Sequence, residues 1–313
     1  MQRISALFKG FGLQFNNRRR NQMGRKLNVQ LVVIDPQNDF LGNDDGSPYS
    51  VKPSDGPSLI AQLPVKGAVG DMKRLAALVD RVGGKLGDIH VTLDSHRVVD
   101  IAHPAWWMDQ NGNAPNPFTI ISATDIEAGI WTTRDPSSRS RTLDYARTLE
   151  ASPDHYKICV WPAHCLIGTW GHSVYWRLNE ALQKWSTREY AMVNYVTKGS
   201  NPWTEHYGAV MAEVPDSSDP TTSLNTAFLE MLAKADIVAI AGEASSHCVL
   251  KTVQQIADNV GEEHIQKFHL LRDCMSPVGA VPNGPDFPAI AEEWLQGAKR
   301  RGMAVTTSVD FLA

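Results

Sequence analysis

The sequence predicts an α/β protein: a three-layer αβα sandwich around a doubly wound, mostly parallel sheet. Three observations lead there. Short apolar runs recur at 29–34, 89–93, 157–160, 191–196, 237–241, 268–271 and 304–307. Segments of helical periodicity, at 71–82, 172–185, 223–233, 246–258 and 288–301, fall between several of them. Several of the runs stop abruptly in polar residues able to do chemistry. Apolar strands that alternate with helices must be covered on both faces, which a parallel sheet between helix layers achieves. In such sheets the sites gather at the carboxyl ends of the strands.

The chain has 313 residues, 42% hydrophobic and 20% charged, with a formal net charge of -4. This is ordinary for a globular protein, and it favours neither nucleic acid nor an anionic membrane as a partner. No apolar run is long enough to span a bilayer. The four cysteines (Cys159, Cys165, Cys248 and Cys274) are not spaced as metal-binding pairs. Free thiols in a reducing cytoplasm are therefore expected. Residues 1–27 read as a basic, flexible extension: seven cations, from Arg3 to Lys26, precede the first acid, Asp35. An organelle transit peptide or an electrostatic tail is the alternative, and Met23 is an alternative first residue. Residues 28–313 read as a single domain with long insertions at about 42–70 and 104–156. The second carries Trp106, Trp107, Phe118 and Trp131 among polar residues and prolines. Tryptophans exposed on such a loop would need cover, from a lid closing over a site or from a second subunit, so a homo-oligomer is one expectation.

The strand ends carry the chemistry. The first run stops at Asp35, where a partly desolvated carboxylate suits a base that must also act as an acid; a turn cap before Pro36 is the structural alternative. The next stops at Asp94, followed by His96 and His103. One carboxylate and two imidazoles suit Zn or another divalent transition metal, and Asp94 and His96, two apart on a strand, point the same way. The run at 157–160 leads to Trp161 and His164, a residue able to complete an Asp-His-His set. Lys198 follows the run at 191–196 and could stabilise a thiolate or carboxylate. After the run at 237–241 comes a small-residue turn and Cys248, in the first turn of a helix. Helix N-termini and nearby cations lower a thiol's pKa. Each residue alone has an ordinary structural explanation. Six of them (Asp35, Asp94, His96, His164, Lys198 and Cys248) at one sheet edge do not.

The stretches IDPQNDF, LDSH with a later His, WPAHC, TKG and GEASSHCV, in that order, resemble the nicotinamidases of the isochorismatase-like cysteine hydrolase superfamily. The resemblance implies a catalytic triad of Cys248 (nucleophile), Asp35 (base) and Lys198. It implies a divalent ion, Zn or alternatively Fe or Mn, on Asp94, His96 and His164, with His103 as a candidate fourth ligand. It also implies an oxyanion hole from the N–H groups of Ala244 and Cys248, a cis peptide between Glu243 and Ala244, and ring stacking by Phe40 and Trp161. The activity implied is hydrolysis of nicotinamide to nicotinate and ammonia through a thioester, as in NAD salvage and pyridine nucleotide biosynthesis. Three features depart from the pattern: the long 97–163 and 198–220 segments, Glu243 where an apolar residue is usual, and Ser245-Ser246-His247 before the cysteine. They leave two alternatives open. One is a hydrolase of another small amide, ureido or carbamoyl compound; the other is a non-catalytic binding protein on the same fold.

Overall fold

The computed structural model describes residues 27–280 and 285–313. Apart from Leu27, the expected basic extension lies outside the described residues.

Six parallel strands form the central sheet. In chain order they are β1 (Val29–Ile34), β2 (Leu86–Asp94), β3 (Asn194–Lys198), β4 (Ile237–Gly242), β5 (Phe268–Leu271) and β6 (Ala304–Thr306). Their spatial order is β6-β5-β4-β1-β2-β3, so the chain winds outward from β1 in both directions. β1 is buried along its whole length, and every residue in it but Gln30 is Val, Leu or Ile.

The two-residue period of a strand sends alternate side chains to opposite faces. Val29, Leu31 and Val33 join one hydrophobic cluster with helices α1 (Ala68–Val82) and α3 (Trp176–Glu189). Val32 and Ile34 join a second cluster with α4 (Thr226–Ala233), α5 (Cys248–Asn259) and α6 (Phe287–Arg300). The three-layer architecture expected from the sequence is the one observed.

Two expectations need correction. The apolar run at 157–160 does form a strand, Ile158–Val160, but it lies outside the central sheet and pairs antiparallel with Thr119–Ile121. The tryptophan-rich segment is not an exposed surface in need of cover. Trp106 and Trp107 are 6% and 0% exposed. They pack in a third cluster with Ile121, Ile126, Ile158 and residues of α2 (Arg139–Ala151), among them Tyr145 and Leu149. These two indoles need no cover from a lid or a second subunit, while Phe118 stays 46% exposed. Among the described residues no helix is long and apolar enough to cross a membrane.

Candidate active site

The carboxyl ends of β1, β2, β3 and β4 meet at one edge of the sheet. Asp94 and Lys198 are register partners on adjacent strands, and so are Ile34 and Gly242. The strands can close up here because Gly242 has no side chain: a Cβ on it would lie 2.0 Å from the carbonyl oxygen of Ile34. Asp35, the residue after Ile34, adopts a φ of 44°, a left-handed conformation costly for a residue with a side chain and characteristic of functional sites. Its N–H donates to Thr92 Oγ1 at 3.0 Å, and the Thr92 hydroxyl donates back to Asp35 Oδ1 at 2.5 Å. The carboxyl group is thereby fixed in orientation.

Lys198 ties the site together. Its ammonium lies 3.0 Å from Asp35 Oδ2, 3.0 Å from Asp94 Oδ1 and 3.6 Å from Cys248 Sγ, and it donates to the His206 carbonyl at 3.1 Å. Burial opposes its charge, yet Asp35 and Asp94 hold it protonated, well above its ordinary value. Burial raises the Asp35 carboxyl, and the attraction of Lys198 only partly offsets this. The Cys248 thiol feels opposing effects. It sits at the start of α5 beside a cation, but burial outweighs Lys198 and pushes it well above the ordinary thiol value, with a hydrogen bond to Asp35 favouring the protonated form. The sulfur is therefore held as a thiol next to a base, rather than as a standing thiolate.

Asp94, His96 and His164 converge, with one donor atom from each lying within 4.8 Å of the others. Asp94 Oδ2 is 3.2 Å from His96 Nε2 and 3.5 Å from His164 Nε2. Both rings are oriented from behind: His96 Nδ1 meets Asp100 Oδ2 at 3.0 Å, and His164 Nδ1 meets the Pro162 carbonyl at 2.8 Å. Outer contacts of this kind leave Nε2 free to bind a metal. Donor identity, spacing and outer support fit a divalent ion. His103 stands beside the set, its ring 4.9 Å from that of His96 and 5.4 Å from that of His164. Its Nδ1 meets the Arg97 carbonyl at 2.9 Å, and its Nε2 is buried without a hydrogen-bond partner. Gly199 gives this cluster room, since a Cβ there would lie 2.8 Å from Asp94 Oδ1.

Phe40 and Trp161 line the same pocket as Cys248, Lys198, Asp94, His96 and His164. Phe40 meets His164 edge-on, and Trp161 meets His247 edge-on. The predicted cis peptide between Glu243 and Ala244 is present. Among the described residues, neither the Ala244 nor the Cys248 N–H takes part in a backbone hydrogen bond outside the helices and strands.

Besides the apolar Leu63, Val65 and Val278, and His247, sequence reasoning missed three neighbouring lining residues: Glu205, His206 and Tyr207. All three belong to the 198–220 segment noted for its length. Glu205 is buried, with Oε1 unpartnered, and desolvation holds its carboxyl well above the ordinary value. His206 Nδ1 accepts from the Gly199 N–H at 3.3 Å, so the proton of the neutral ring sits on Nε2. Burial pushes this ring down to about 3. Gln37 was also missed: its side chain accepts from the Asp94 N–H and donates to the Asp94 carbonyl, each at 2.7 Å, clamping β2 where the metal-ligand set begins.

No family model matches the chain, and no curated protein does. Solved structures do. The Acinetobacter baumanii nicotinamidase/pyrazinamidase is 20% identical, with 92% of this chain and 100% of that one covered and a TM-score of 0.53. The yeast nicotinamidase bound to the inhibitor nicotinaldehyde is 18% identical, covering 89% and 99%, with a TM-score of 0.55. At these identities the likeness concerns architecture, and it extends over nearly the whole of both chains. This chain has the fold of the nicotinamidases.

Proposed function

We propose that the protein hydrolyses a small aromatic carboxamide, with nicotinamide as the first candidate, using Cys248 as the nucleophile. The observation that carries this reading is the position of the Lys198 ammonium, in contact with Asp35, Asp94 and Cys248 Sγ inside one buried pocket. That pocket has an aromatic wall of Phe40 and Trp161, suited to a flat ring. The yeast enzyme of the same fold binds nicotinaldehyde, a pyridine carrying a carbonyl group.

In the first half-reaction Asp35 takes the thiol proton as the sulfur attacks the carboxamide carbon, and Lys198 stabilises the negative charge shared by sulfur and carboxylate. The carbonyl oxygen gains negative charge and is met by the N–H groups of Ala244 and Cys248; one such donor is worth ~10²–10³ in rate. Protonated Asp35 then gives its proton to the departing ammonia, leaving a thioester. In the second half-reaction Asp35 takes a proton from water as the water oxygen attacks the thioester carbon; the C–S bond breaks, the acid leaves, and Asp35 returns the proton to the Cys248 sulfur. Asp94, His96 and His164 would hold a divalent ion (Zn, or Fe or Mn), whose Lewis acidity would bind and orient a ring nitrogen. His103, with its free Nε2, is the fourth candidate ligand.

Purified protein should release ammonia from nicotinamide, and Cys248→Ala should lower the rate by more than about 10⁴-fold while retaining bound metal. Turnover that persists in Cys248→Ala would overturn the thiol mechanism. Failure of metal-replete wild type on nicotinamide, with Cys248-dependent release from other amides, ureido or carbamoyl compounds, would move the substrate assignment there. Failure on the whole panel would leave a binding protein.

A further inference from the structure

Directly behind the turn that carries Ala244 and Cys248 lies a buried pair of carboxyl groups. Glu243, at the end of β4, is 0% exposed, and Asp71, in the first turn of α1, is 2% exposed. Both Asp71 oxygens are engaged: Oδ1 accepts from Arg74 Nη2 and Oδ2 accepts from Ser276 Oγ, each at 2.5 Å. Glu243 Oε2 accepts from the Ser276 N–H at 3.2 Å, while Oε1 is buried without a hydrogen-bond partner. The two carboxyl groups come together on one residue, since Ser276 gives its N–H to Glu243 and its hydroxyl to Asp71. Two ionised carboxylates would repel strongly in such a place, so the contact requires a proton between them. The backbone completes the frame. The Ser245 N–H donates to the Ser276 carbonyl at 2.9 Å, and the Val278 N–H donates to Ser246 Oγ at 3.1 Å. The turn from Gly242 to Ser246 is thus held against the 274–278 segment through Ser276, which also touches both carboxyl groups.

We infer that Glu243 is a positioning residue: it keeps a proton, donates it in a hydrogen bond to Asp71, accepts from the Ser276 N–H, and so fixes the turn that aims the Ala244 and Cys248 N–H groups. This rests on the reading of those N–H groups as the oxyanion donors. The charged group facing the pair is Arg74, on α1, whose Nε donates to the Asp273 carbonyl; the Asp273 carboxylate itself is turned to Ser308, and the neutral Cys274 thiol lies near Asp71. One carboxylate, one neutral carboxyl and one guanidinium leave the cluster close to electrically balanced.

The pH dependence follows. Burial, and then the negative charge of Asp71, push Glu243 well above its ordinary value of 4.5. A raised carboxyl contributes stability that is fully present below 4.5 and is lost as pH rises through the native value. Glu243→Gln makes the same two hydrogen bonds without a titrating proton. Glu243→Ala makes neither.

The test combines infrared spectroscopy, thermal unfolding and kinetics on the full chain. Wild type at neutral pH should show a protonated-carboxyl C=O band that Glu243→Gln lacks, and the thermal midpoint of the Gln variant should gain on wild type as pH is raised. Glu243→Gln should keep kcat within about threefold and hold it to higher pH; Glu243→Ala should lose about tenfold or more in kcat with KM little changed. An unchanged band in Glu243→Gln would overturn the inference. So would a Gln variant as impaired as the Ala variant, or an Ala variant with wild-type kcat. The band and the midpoints do not depend on turnover. If they behave as expected while wild type hydrolyses no amide, the function proposal fails and the proton-sharing pair stands.

Discussion

A buried ammonium is tolerated only where opposite charges and acceptors surround it, and Lys198 has two carboxylates, a backbone carbonyl and a sulfur around its three protons. Lys198→Met should therefore do more than slow the chemistry. It leaves Asp35 and Asp94 buried without their shared cation, and a loss of about 3–5 kcal/mol in urea unfolding is expected; an unchanged midpoint would mean that the carboxylates find another partner. Asp100 acts at one remove. It holds His96 by Nδ1, and Asp100→Ala should weaken metal binding by about 10–100-fold, measured by chelator competition, without removing a ligand. These residues differ in how visible they are to sequence reading. Asp35, Asp94, His96, Lys198 and Cys248 each follow on or end a strand of the parallel sheet, which brings such positions together; His164 follows an apolar run whose strand lies outside that sheet. Glu205, His206 and Asp100 lie in irregular backbone, where no periodicity says which way a side chain turns. Only the length of the 198–220 segment signalled that something lay there.

At the scale of elements, the six strands of the sheet and the helices that cover it were legible, because burial on both faces leaves a plain apolar signature. Two cases show the limit. The apolar run 157–160 has the same local signature as a sheet strand, but its partner is Thr119–Ile121, and no local pattern encodes a partner 40 residues away. Helix α3 begins at Trp176, four residues later than periodicity suggests, because the preceding backbone is committed elsewhere: the Asn38 N–H donates to the Ser173 carbonyl and the Tyr175 N–H to the Pro36 carbonyl. Those contacts brace the loop that carries Phe40. In the tryptophan-rich segment the decisive element is the ring cluster. Trp107 is fully buried, and its Nε1 donates to the Ile101 carbonyl at 2.8 Å. Trp107→Ala should cost about 3–5 kcal/mol in urea unfolding. A small effect would mean that the segment does not pack as a core.

At the scale of the molecule, protonation and stability are linked. His247 stands against Trp161 and Phe287, and burial pushes its ring down to about 4. A histidine lowered in the native state is protonated first in the unfolded chain, so its contribution is present near neutrality and is lost as pH falls from 6.5 toward 4. Buried acids such as Glu205 and Glu243 pull in the opposite direction, so the expectation concerns a difference between proteins. The stability of His247→Gln relative to wild type should improve by about 1.4 kcal/mol for each pH unit over that range. Urea titrations of both proteins at pH 7, 5.5 and 4.5 check it, and a pH-independent difference would show that the ring is solvated.

The aromatic cluster of the insertion has a consequence for motion. A chain with separate hydrophobic clusters has more than one opening free energy, and amide hydrogen exchange resolves them as distinct cooperative units. Asp35, Lys198 and Cys248 ride on the sheet, whereas Trp161 and His164 follow a strand that belongs to the inserted cluster. The boundary between these clusters therefore runs through the pocket, spanned by a small fourth cluster that joins Phe40 to Trp161. Amides of Thr119–Ile121 and Ile158–Val160 should exchange through a smaller opening than those of β1, so that one wall of the pocket can detach while the proposed nucleophile, Cys248, and its proposed base, Asp35, stay in register.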